Sequence, residues 1–335
     1  MANRLSQMLA LWQGQKDSLD WVLATLVATD GSSYRKSGAM MMINSLGQYY
    51  GMLSGGCLES DIMRQARRCW TSNCNRIVQY DMREEEDLAW QLGIGCGGLV
   101  RILLQPVNAA NAYLQLDRVS EAIKQNKACI YQQLVNAEKP LNHIVEICAD
   151  KTRYSAAGSV LEEGPEGLLI RHQLQPPPHL AVFGGGVDAR PLVAMAAELG
   201  WQVSLIDPRA AYANAGYFSS ANIIRSPLAQ LSDTPWLQSL DMAVLMYHNI
   251  ELDGQALTLV QSSSAVYVGM LGPIHRTERV LASANLLRSD LAKPLANPIG
   301  LRLGGDLPES IALSILSEAH AYIEGADGNS ISGIV

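Results

Sequence analysis

The sequence predicts an α/β protein in which an N-terminal α+β domain precedes a C-terminal doubly wound parallel sheet. After three consecutive prolines at 176–178, short apolar runs bounded by turn residues alternate with helical segments, which is typical of parallel strands buried on both faces. Before these prolines, apolar runs occur without regular helices between them, which indicates an α+β arrangement. The length of 335 residues also suits two domains.

The prolines set the predicted domain boundaries, because three in a row form a stiff, extended connector that cannot continue a helix. The first domain is predicted over residues 1–175, the linker over 176–178 and the second domain over 179–325. The remaining residues, 326–335, are mostly small and polar, and we expect them to form a flexible tail.

Individual elements are predicted where apolar residues run together or recur at helical spacing. The first domain has predicted strands at Val22–Thr29, Ala39–Ile43 and Val100–Leu104, and a predicted helix at Glu59–Trp70. In the second domain, a helix is predicted at Ala189–Leu199. Its predicted strands are His179–Phe183, Gln202–Ile206, Asp241–Met246 and Ala265–Gly269.

Composition limits the classes of function. The chain has 25 Lys and Arg against 32 Asp and Glu, a net charge of −7, so the basic footprint of a nucleic-acid-binding protein is missing. No apolar run approaches the roughly 20 residues of a membrane helix, and the N-terminus has no signal-peptide pattern. We therefore expect a cytoplasmic protein with no membrane segment, whose six cysteines are reduced.

A glycine-rich turn lies between the first strand and the first helix of the second domain. Gly184, Gly186 and Ala189 fit the pattern G-x-G-x-x-[G/A], which brings a pyrophosphate close to the backbone at a helix N-terminus. Asp207 ends the next strand, 207 − 184 = 23 residues later, where a carboxylate accepts hydrogen bonds from a ribose. The pattern predicts a Rossmann-like site for NAD or another nucleotide. Arg209 is suited to a 2′-phosphate, so NADP is also compatible with the sequence. The alternative to nucleotide binding is a tight turn whose site is empty.

His248 follows the predicted strand Asp241–Met246, so it is expected at the carboxyl edge of the sheet, where ligands of such folds bind. It is a candidate acid–base group or phosphate contact. A structural or solvated histidine is equally compatible with the sequence.

Two of the six cysteines lie in glycine-rich loops. Cys57 follows Gly55 and Gly56 just before a predicted helix, and Cys96 lies among four glycines within residues 93–98. Glycine permits close approach of a ligand, and a helix N-terminus favours the nucleophilic, metal-binding thiolate. A structural turn around a buried thiol is the alternative for both loops. The other cysteines lack glycine neighbours and are predicted to be structural core residues: Cys69, Cys74, Cys129 and Cys148.

Two basic features accompany these loops. The polar loop at 30–38 carries Arg35, and its donors are suited to an anion, although an ordinary hairpin loop has the same composition. Arg64, Arg67 and Arg68 share one face of the predicted helix because they are spaced at i, i+3 and i+4. This face is predicted either to hold a phosphate or to be solvated.

Taken in chain order, several segments resemble the xanthine dehydrogenase accessory factors of the XdhC/CoxI type. The resemblance spans nearly the whole chain, and the two cysteine loops with the late PES-IALSI segment are its most specific parts. The matching segments are DGSSYRKSGAMM (30–41), GMLSGGCLES (51–60), GIGCGG (93–98), HLAVFGGGVDA (179–189), VSLIDPR (203–209), YVGMLG (267–272), NPIGLRLGG (297–305) and LPESIALSILSEA (307–319).

The resemblance implies a cytoplasmic maturation factor rather than a turnover enzyme. It implies that molybdenum cofactor (molybdopterin) is bound with Cys57 as a contact to the metal centre, and that Cys96 belongs to the same site. It also implies sulfuration of the cofactor with a cysteine desulfurase, and delivery to a xanthine-dehydrogenase-like molybdenum hydroxylase.

Two positions depart from the pattern of this family, since Val187 and Arg302 stand where a histidine and an aspartate are usual. One alternative function is an NAD(P)-dependent oxidoreductase in which His248 is the acid–base group. Another is a non-catalytic scaffold between the desulfurase and the hydroxylase. A homodimer is expected because symmetric dimers are the commonest assemblies.

Overall fold

The computed structural model describes residues 4–56, 58–81, 83, 98–136 and 158–334, together with the backbone of 142–148. The chain divides into two compact units, Met1–Pro176 and Pro177–Val335. The first unit combines antiparallel sheets with helices, and the second is a parallel sheet with crossover helices. The predicted α+β and doubly wound α/β classes are therefore both confirmed.

The larger sheet of the first unit is antiparallel. Its strands are β1 Trp21–Gly31, β2 Met40–Asn44, β3 Tyr49–Gly51, β4 Arg76–Asp81 and β5 Gly98–Val107. They lie in the order β3-β2-β1-β5-β4. The helices of this unit are α1 Leu5–Gln13, α2 Glu59–Ser72 and α3 Leu116–Lys124, the last preceded by a 3-10 segment at Ala109–Gln115.

Strand β1 is buried along most of its length because both faces of its sheet are covered. Val22 packs in one core with Ile62 of α2, whereas Leu23 packs in another with Trp12 of α1. Successive side chains of a strand point to opposite faces, so a strand covered on both sides reads as a continuous apolar run. This is why the sequence predicted β1, although its strand begins and ends beyond the predicted bounds.

A second antiparallel sheet completes the first unit. Its strands are β6 Ala128–Leu134, β7 Asn142–Cys148, β8 Ser159–Gly164 and β9 Gly167–Leu174, in the order β7-β6-β9-β8. The sequence analysis did not predict this sheet. One reason is visible in β8, where Glu162 and Glu163 are exposed and interrupt any apolar pattern.

A buried polar network links the two sheets. The Nε2 atom of Gln133 donates to Thr25 Oγ1 at 3.1 Å and to Gln105 Oε1 at 2.8 Å. Its Oε1 is therefore the acceptor for Nε2–H of His172 at 2.7 Å, while His172 Nδ1 accepts from the Ser159 hydroxyl at 2.7 Å. Burial lowers the pKa of His172 to about 4, so this histidine is neutral at physiological pH.

The second unit has a parallel sheet built from strands buried almost throughout. They are β10 His179–Phe183, β11 Gln202–Ile206, β12 Asn222–Ile224, β13 Met242–Leu245, β14 Tyr267–Met270 and β15 Leu295–Ala296. The order is β12-β11-β10-β13-β14-β15, so the chain reverses its direction of progress between β10 and β13. Ligands of such sheets bind at the carboxyl edge beside this reversal.

Helices cover this sheet and connect its strands. They are α4 Ala189–Glu198, α5 Ile250–Gln261, α6 Ile274–Ser283 and α7 Pro308–Glu324, with 3-10 turns at Leu228–Gln230, Leu237–Ser239 and Arg288–Asp290. Ala181 and Phe183 pack in one core with residues of α5 and α6. Helix α4 packs against α7 and also contacts β10 and β11. Residues 326–334 form no helix or strand.

The expectation that all four remaining cysteines are core residues is wrong at one position. Cys69 and Cys129 are buried, but Cys74 follows the end of α2 and is exposed. The side chain of Cys148 lies outside the described residues. Within the part of the chain that the structure describes, none of the helices is long and apolar enough to cross a membrane.

Candidate functional site

The polar loop at 30–38 contacts Gly55 and Gly98, which lie two positions before Cys57 and two positions after Cys96. The ring of Tyr34 in that loop covers Gly55, where an added Cβ would sit 3.7 Å from the ring. Gly98 follows the loop that contains Cys96, and a Cβ at Gly98 would collide with the carbonyl oxygen of Ser32. The segments that border both cysteine loops therefore share one neighbour.

The loop before α2 is held by a buried pair, Ser54 and Glu59. The Ser54 hydroxyl donates to Glu59 Oε2 at 2.5 Å, and the Ser54 backbone N–H donates to Oε1 at 3.1 Å. The same hydroxyl oxygen accepts from the N–H groups of Gly56 at 3.3 Å and Leu58 at 3.1 Å. The two residues that flank position 57 are thus anchored to one hydroxyl.

The predicted thiols themselves, Cys57 and Cys96, lie outside the described residues. Arg35 is exposed in the loop at 30–38, where its carbonyl oxygen accepts from the Ser33 hydroxyl at 2.9 Å. Sequence reasoning missed Ser54 and Glu59. Their signal was a serine and a glutamate that flank the glycine–cysteine segment at the start of a helix.

The glycine-rich turn of the second unit requires glycine at two positions for steric reasons. Gly184 has φ +113°, and a Cβ there would lie 2.6 Å from the carbonyl oxygen of Met246. A Cβ at Gly185 would collide with the carbonyl oxygen of Tyr212. At Gly186, by contrast, a Cβ would meet nothing within 4 Å. Only Gly186 therefore faces open space that a ligand can enter.

Helix α4 begins directly after this turn, with Ala189 fully buried against the sheet as the pattern predicts. The backbone N–H groups of Gly186, Val187 and Asp188 have no acceptor among the described residues. Free N–H groups at a helix N-terminus are suited to a phosphate. Val187, where the family usually has histidine, is exposed.

Asp207 is fully buried, and both of its carboxylate oxygens are engaged by the protein. Oδ1 accepts from the backbone N–H of Arg209 at 3.0 Å and from its Nε at 2.9 Å. Oδ2 accepts from Arg209 Nη2 at 2.8 Å and from the N–H of Gly185 at 2.9 Å. These hydrogen bonds raise the pKa of the Arg209 guanidinium. A ribose hydroxyl would have to displace Arg209 to reach Asp207.

His248 lies at the carboxyl edge, as expected, and contacts the first loop of the sheet. Its Nε2 is 3.2 Å from Oδ2 of Asp188, and the side chain is 53% exposed. Its backbone has φ +56°, a left-handed conformation that is uncommon outside glycine. The pair joins the β10 and β13 loops across the reversal of strand order.

The same edge carries three buried polar atoms without a hydrogen-bond partner, namely Tyr247 Oη, Arg276 Nη1 and Asn297 Oδ1. Asp253 is fully buried beside them, accepting from Arg276 Nη2 at 2.5 Å and from the Tyr247 N–H at 3.1 Å. Burial raises the pKa of Asp253 although Arg276 opposes this shift. The sequence analysis missed these residues, whose burial follows from tertiary packing.

The residues that the structure describes contain no group of three or more His, Cys, Asp or Glu side chains able to hold a metal ion. Cys57 and Cys96 are not among those residues. The donors described at both sites are instead backbone N–H groups and guanidinium groups, which suit phosphates and other anions.

Comparison with protein families decides what this arrangement belongs to. Residues 15–81 match the model of the XdhC and CoxI family, and residues 180–319 match that of the XdhC Rossmann domain. The chain belongs to the XdhC and CoxI family. The predicted resemblance is thereby confirmed, and the C-terminal unit is the XdhC Rossmann domain.

Relatives of this XdhC-family chain match over most of its length. A Bacillus subtilis (strain 168) protein, named as a probable xanthine dehydrogenase subunit, is 28% identical over 344 residues, covering 95% of this chain and 97% of that protein. The Escherichia coli (strain K12) molybdenum cofactor insertion chaperone PaoD is 23% identical over 302 residues, covering 89% and 81%.

A solved structure from Bacillus halodurans, described as a xanthine dehydrogenase, superposes on this chain with a TM-score of 0.80. The two are 28% identical, and the match covers 98% of each chain. The chain therefore shares its fold with an experimentally determined structure.

Proposed function

We propose that this XdhC-family protein acts in the maturation of a molybdenum hydroxylase by handling its molybdenum cofactor. It binds the cofactor as cargo, supports its sulfuration together with a cysteine desulfurase, and delivers it to a xanthine-dehydrogenase-like enzyme. The names of two relatives, a molybdenum cofactor insertion chaperone and a probable xanthine dehydrogenase subunit, support this role. Action in the cytoplasm as a homodimer is part of the same proposal.

The observation that carries the proposal is that the loop at 30–38 contacts a described residue next to each of the two glycine–cysteine segments of the first unit. The loop at 30–38 touches Gly55, two residues before Cys57, and Gly98, two residues after Cys96. A molybdenum–sulfur centre suits soft thiolate ligands, and glycine-rich backbone suits the close approach of a pterin and its phosphate. In this proposal Cys57 contacts the metal centre, and Gly55, Gly56, Arg35 and Cys96 complete the site.

A second part of the proposal concerns the Rossmann unit, which binds a nucleotide, NAD(P) or another, through its phosphates. Support comes from Gly186, whose Cα faces open space, and from the free N–H groups that follow it. Asp207 fits a ribose contact less well, because Arg209 and Gly185 saturate its oxygens. His248 is the candidate acid–base group or phosphate contact at this edge.

The proposal is tested by loading the purified full-length protein with molybdenum cofactor and measuring bound pterin and molybdenum by mass spectrometry and metal analysis. Cys57→Ser is expected to lose most of the bound cofactor. Cys74→Ser is the matched control, because Cys74 is an exposed free thiol outside the glycine-rich loops. Equal retention in the two variants would contradict the assignment of Cys57.

The competing functions give different outcomes in the same preparation. Hydride transfer from NADH or NADPH that depends on His248, without cofactor binding, would identify an oxidoreductase. Binding of a desulfurase and a hydroxylase by a chain that takes up neither pterin nor nucleotide would identify a scaffold. Either outcome would replace the maturation role proposed here.

A further inference from the structure

A cavity of about 480 Å³ opens on the first unit beside the glycine–cysteine loop. Gly56 lines it, and so do residues from the first three turns of helix α2. Gly56 has φ +110°, and a Cβ there would meet nothing within 4 Å, so the backbone is open to the cavity. The cavity therefore borders the residue that immediately precedes Cys57 in the chain.

The walls of the cavity combine flat apolar surface with positive charge. Its lining residues include the aromatic Tyr49 and the apolar Met63, together with the basic Arg64 and Arg67. Arg64 and Arg67 are three residues apart on α2, so both side chains project from one side of the helix. Such walls suit a flat heterocycle that carries a phosphate.

The charges that face the cavity are partnered, with one exception. Glu59 is buried and accepts two hydrogen bonds from Ser54. Arg64 pairs with Asp61, which also accepts from the Tyr80 hydroxyl at 2.7 Å.

Arg67 is the exception. Its guanidinium has no carboxylate and no other acceptor among the residues that the structure describes. An Arg fork matches the geometry of a phosphate with two parallel hydrogen bonds. Arg67 is thus the positive group at this cavity that remains available for an anion.

We propose that Arg67, assisted by Arg64, binds the phosphate of the cargo at this cavity, and that the heterocycle lies against Tyr49 and Met63. The ligand class is a phosphorylated or pyrophosphorylated heterocycle. The identity of the cargo as a pterin rests on the proposed function. The assignment of Arg67 as an anion site does not depend on that function. The alternative expected from the sequence is a solvated arginine face. That alternative applies to Arg68, which is exposed on the same helix but does not line the cavity.

The test compares Arg67→Gln with Arg68→Gln in the full-length protein. Calorimetric titration is carried out with three probes: inorganic pyrophosphate, a nucleoside diphosphate and molybdenum cofactor. Both arginines are exposed, so both variants are expected to keep the far-UV circular dichroism and melting temperature of the parent. Arg67→Gln is expected to weaken cofactor and pyrophosphate binding at least about tenfold, and Arg68→Gln about twofold or less.

The outcomes separate this inference from the proposed function. Equal affinities of the two variants for pyrophosphate and for cofactor would overturn the Arg67 site. Loss of pyrophosphate binding in Arg67→Gln alone, in a protein that takes up no molybdenum cofactor, would support the anion site while contradicting the cargo. Tighter binding of the nucleoside diphosphate than of the cofactor, with the same dependence on Arg67, would assign the site to a nucleotide and overturn the pterin assignment.

Discussion

His172 is predicted to make the first unit sensitive to acid. It is 1% exposed and donates to Gln133 while it accepts from Ser159. Burial lowers its pKa from 6.5 to about 4, so the folded state favours the neutral ring. The unfolded chain takes up a proton near pH 6.5 and the folded chain only near pH 4, so stability is present above pH 6.5 and is lost as the pH falls between these values.

The size of this effect follows from the shift. The pKa of His172 differs by 6.5 − 4 = 2.5 between the unfolded and the folded chain. At about 1.36 kcal/mol for each unit of pKa, the folded state loses about 3 kcal/mol of stability once the pH is below both values. Between pH 8 and pH 5 the expected loss is about 2 kcal/mol. Carboxylates also titrate toward pH 5, so the effect of His172 has to be isolated with a variant.

The variant is His172→Gln, which can still donate to Gln133 but does not titrate. It is expected to be less stable than the parent at pH 8 by about 1–3 kcal/mol, because Ser159 loses its acceptor. The stability difference between parent and variant should then change by about 2 kcal/mol in favour of the variant on going from pH 8 to pH 5.

Hydrogen exchange on peptides from β6 and β9 measures the opening free energy of this unit within the full chain. His275→Gln is the control, because it makes the same chemical change at an exposed histidine of the other unit. Parallel curves for the parent and His172→Gln, within about 0.5 kcal/mol, would refute the proposed titration of His172.

Further predictions concern single contacts. Gly185→Ala is expected to lower the stability of the second unit by about 1–3 kcal/mol, since its Cβ would overlap a backbone carbonyl. Gly186→Ala should have the melting temperature of the parent yet bind nucleoside diphosphates more weakly. Equal melting temperatures of Gly185→Ala and Gly186→Ala would contradict the tight packing at Gly185. Glu59→Gln should lower the free energy of unfolding by about 1–2 kcal/mol and reduce cofactor retention, because a charged acceptor becomes neutral. Unchanged retention would show that Glu59 does not contribute to the cofactor site. Asp253→Asn leaves Arg276, whose side chain is 16% exposed, without its counter-charge and should lower the free energy of unfolding in urea by about 3 kcal/mol, whereas a loss below about 1 kcal/mol would contradict an ion pair with a fully buried carboxylate.

Local pattern was sufficient for four strands and the first helix of the second unit. Strands β10 and β11 occur over the residues predicted, and α4 ends one residue earlier than predicted. Strands β10 and β11 are almost fully buried, so their sequences are mostly apolar, and Gly184 and Asp207 follow them directly. Strands β8 and β9 escaped prediction because partly exposed antiparallel strands with charged residues carry a weaker signal.

The sequence by itself determined the two fold classes, the glycine-rich turn with its aspartate, and the two cysteine loops, because each depends on residues close together in the chain. Only the tertiary structure decided that the loop at 30–38 contacts both Gly55 and Gly98. It also decided that Arg209 forms an ion pair with Asp207, and that Arg67 rather than Arg68 lines a cavity. Contacts between distant segments depend on strand register and on which helix face packs inward, and many sequences satisfy the same local pattern with different contacts. The candidate functional groups of this protein are therefore visible in its sequence, whereas the fold sets which of the described ones are available to a ligand.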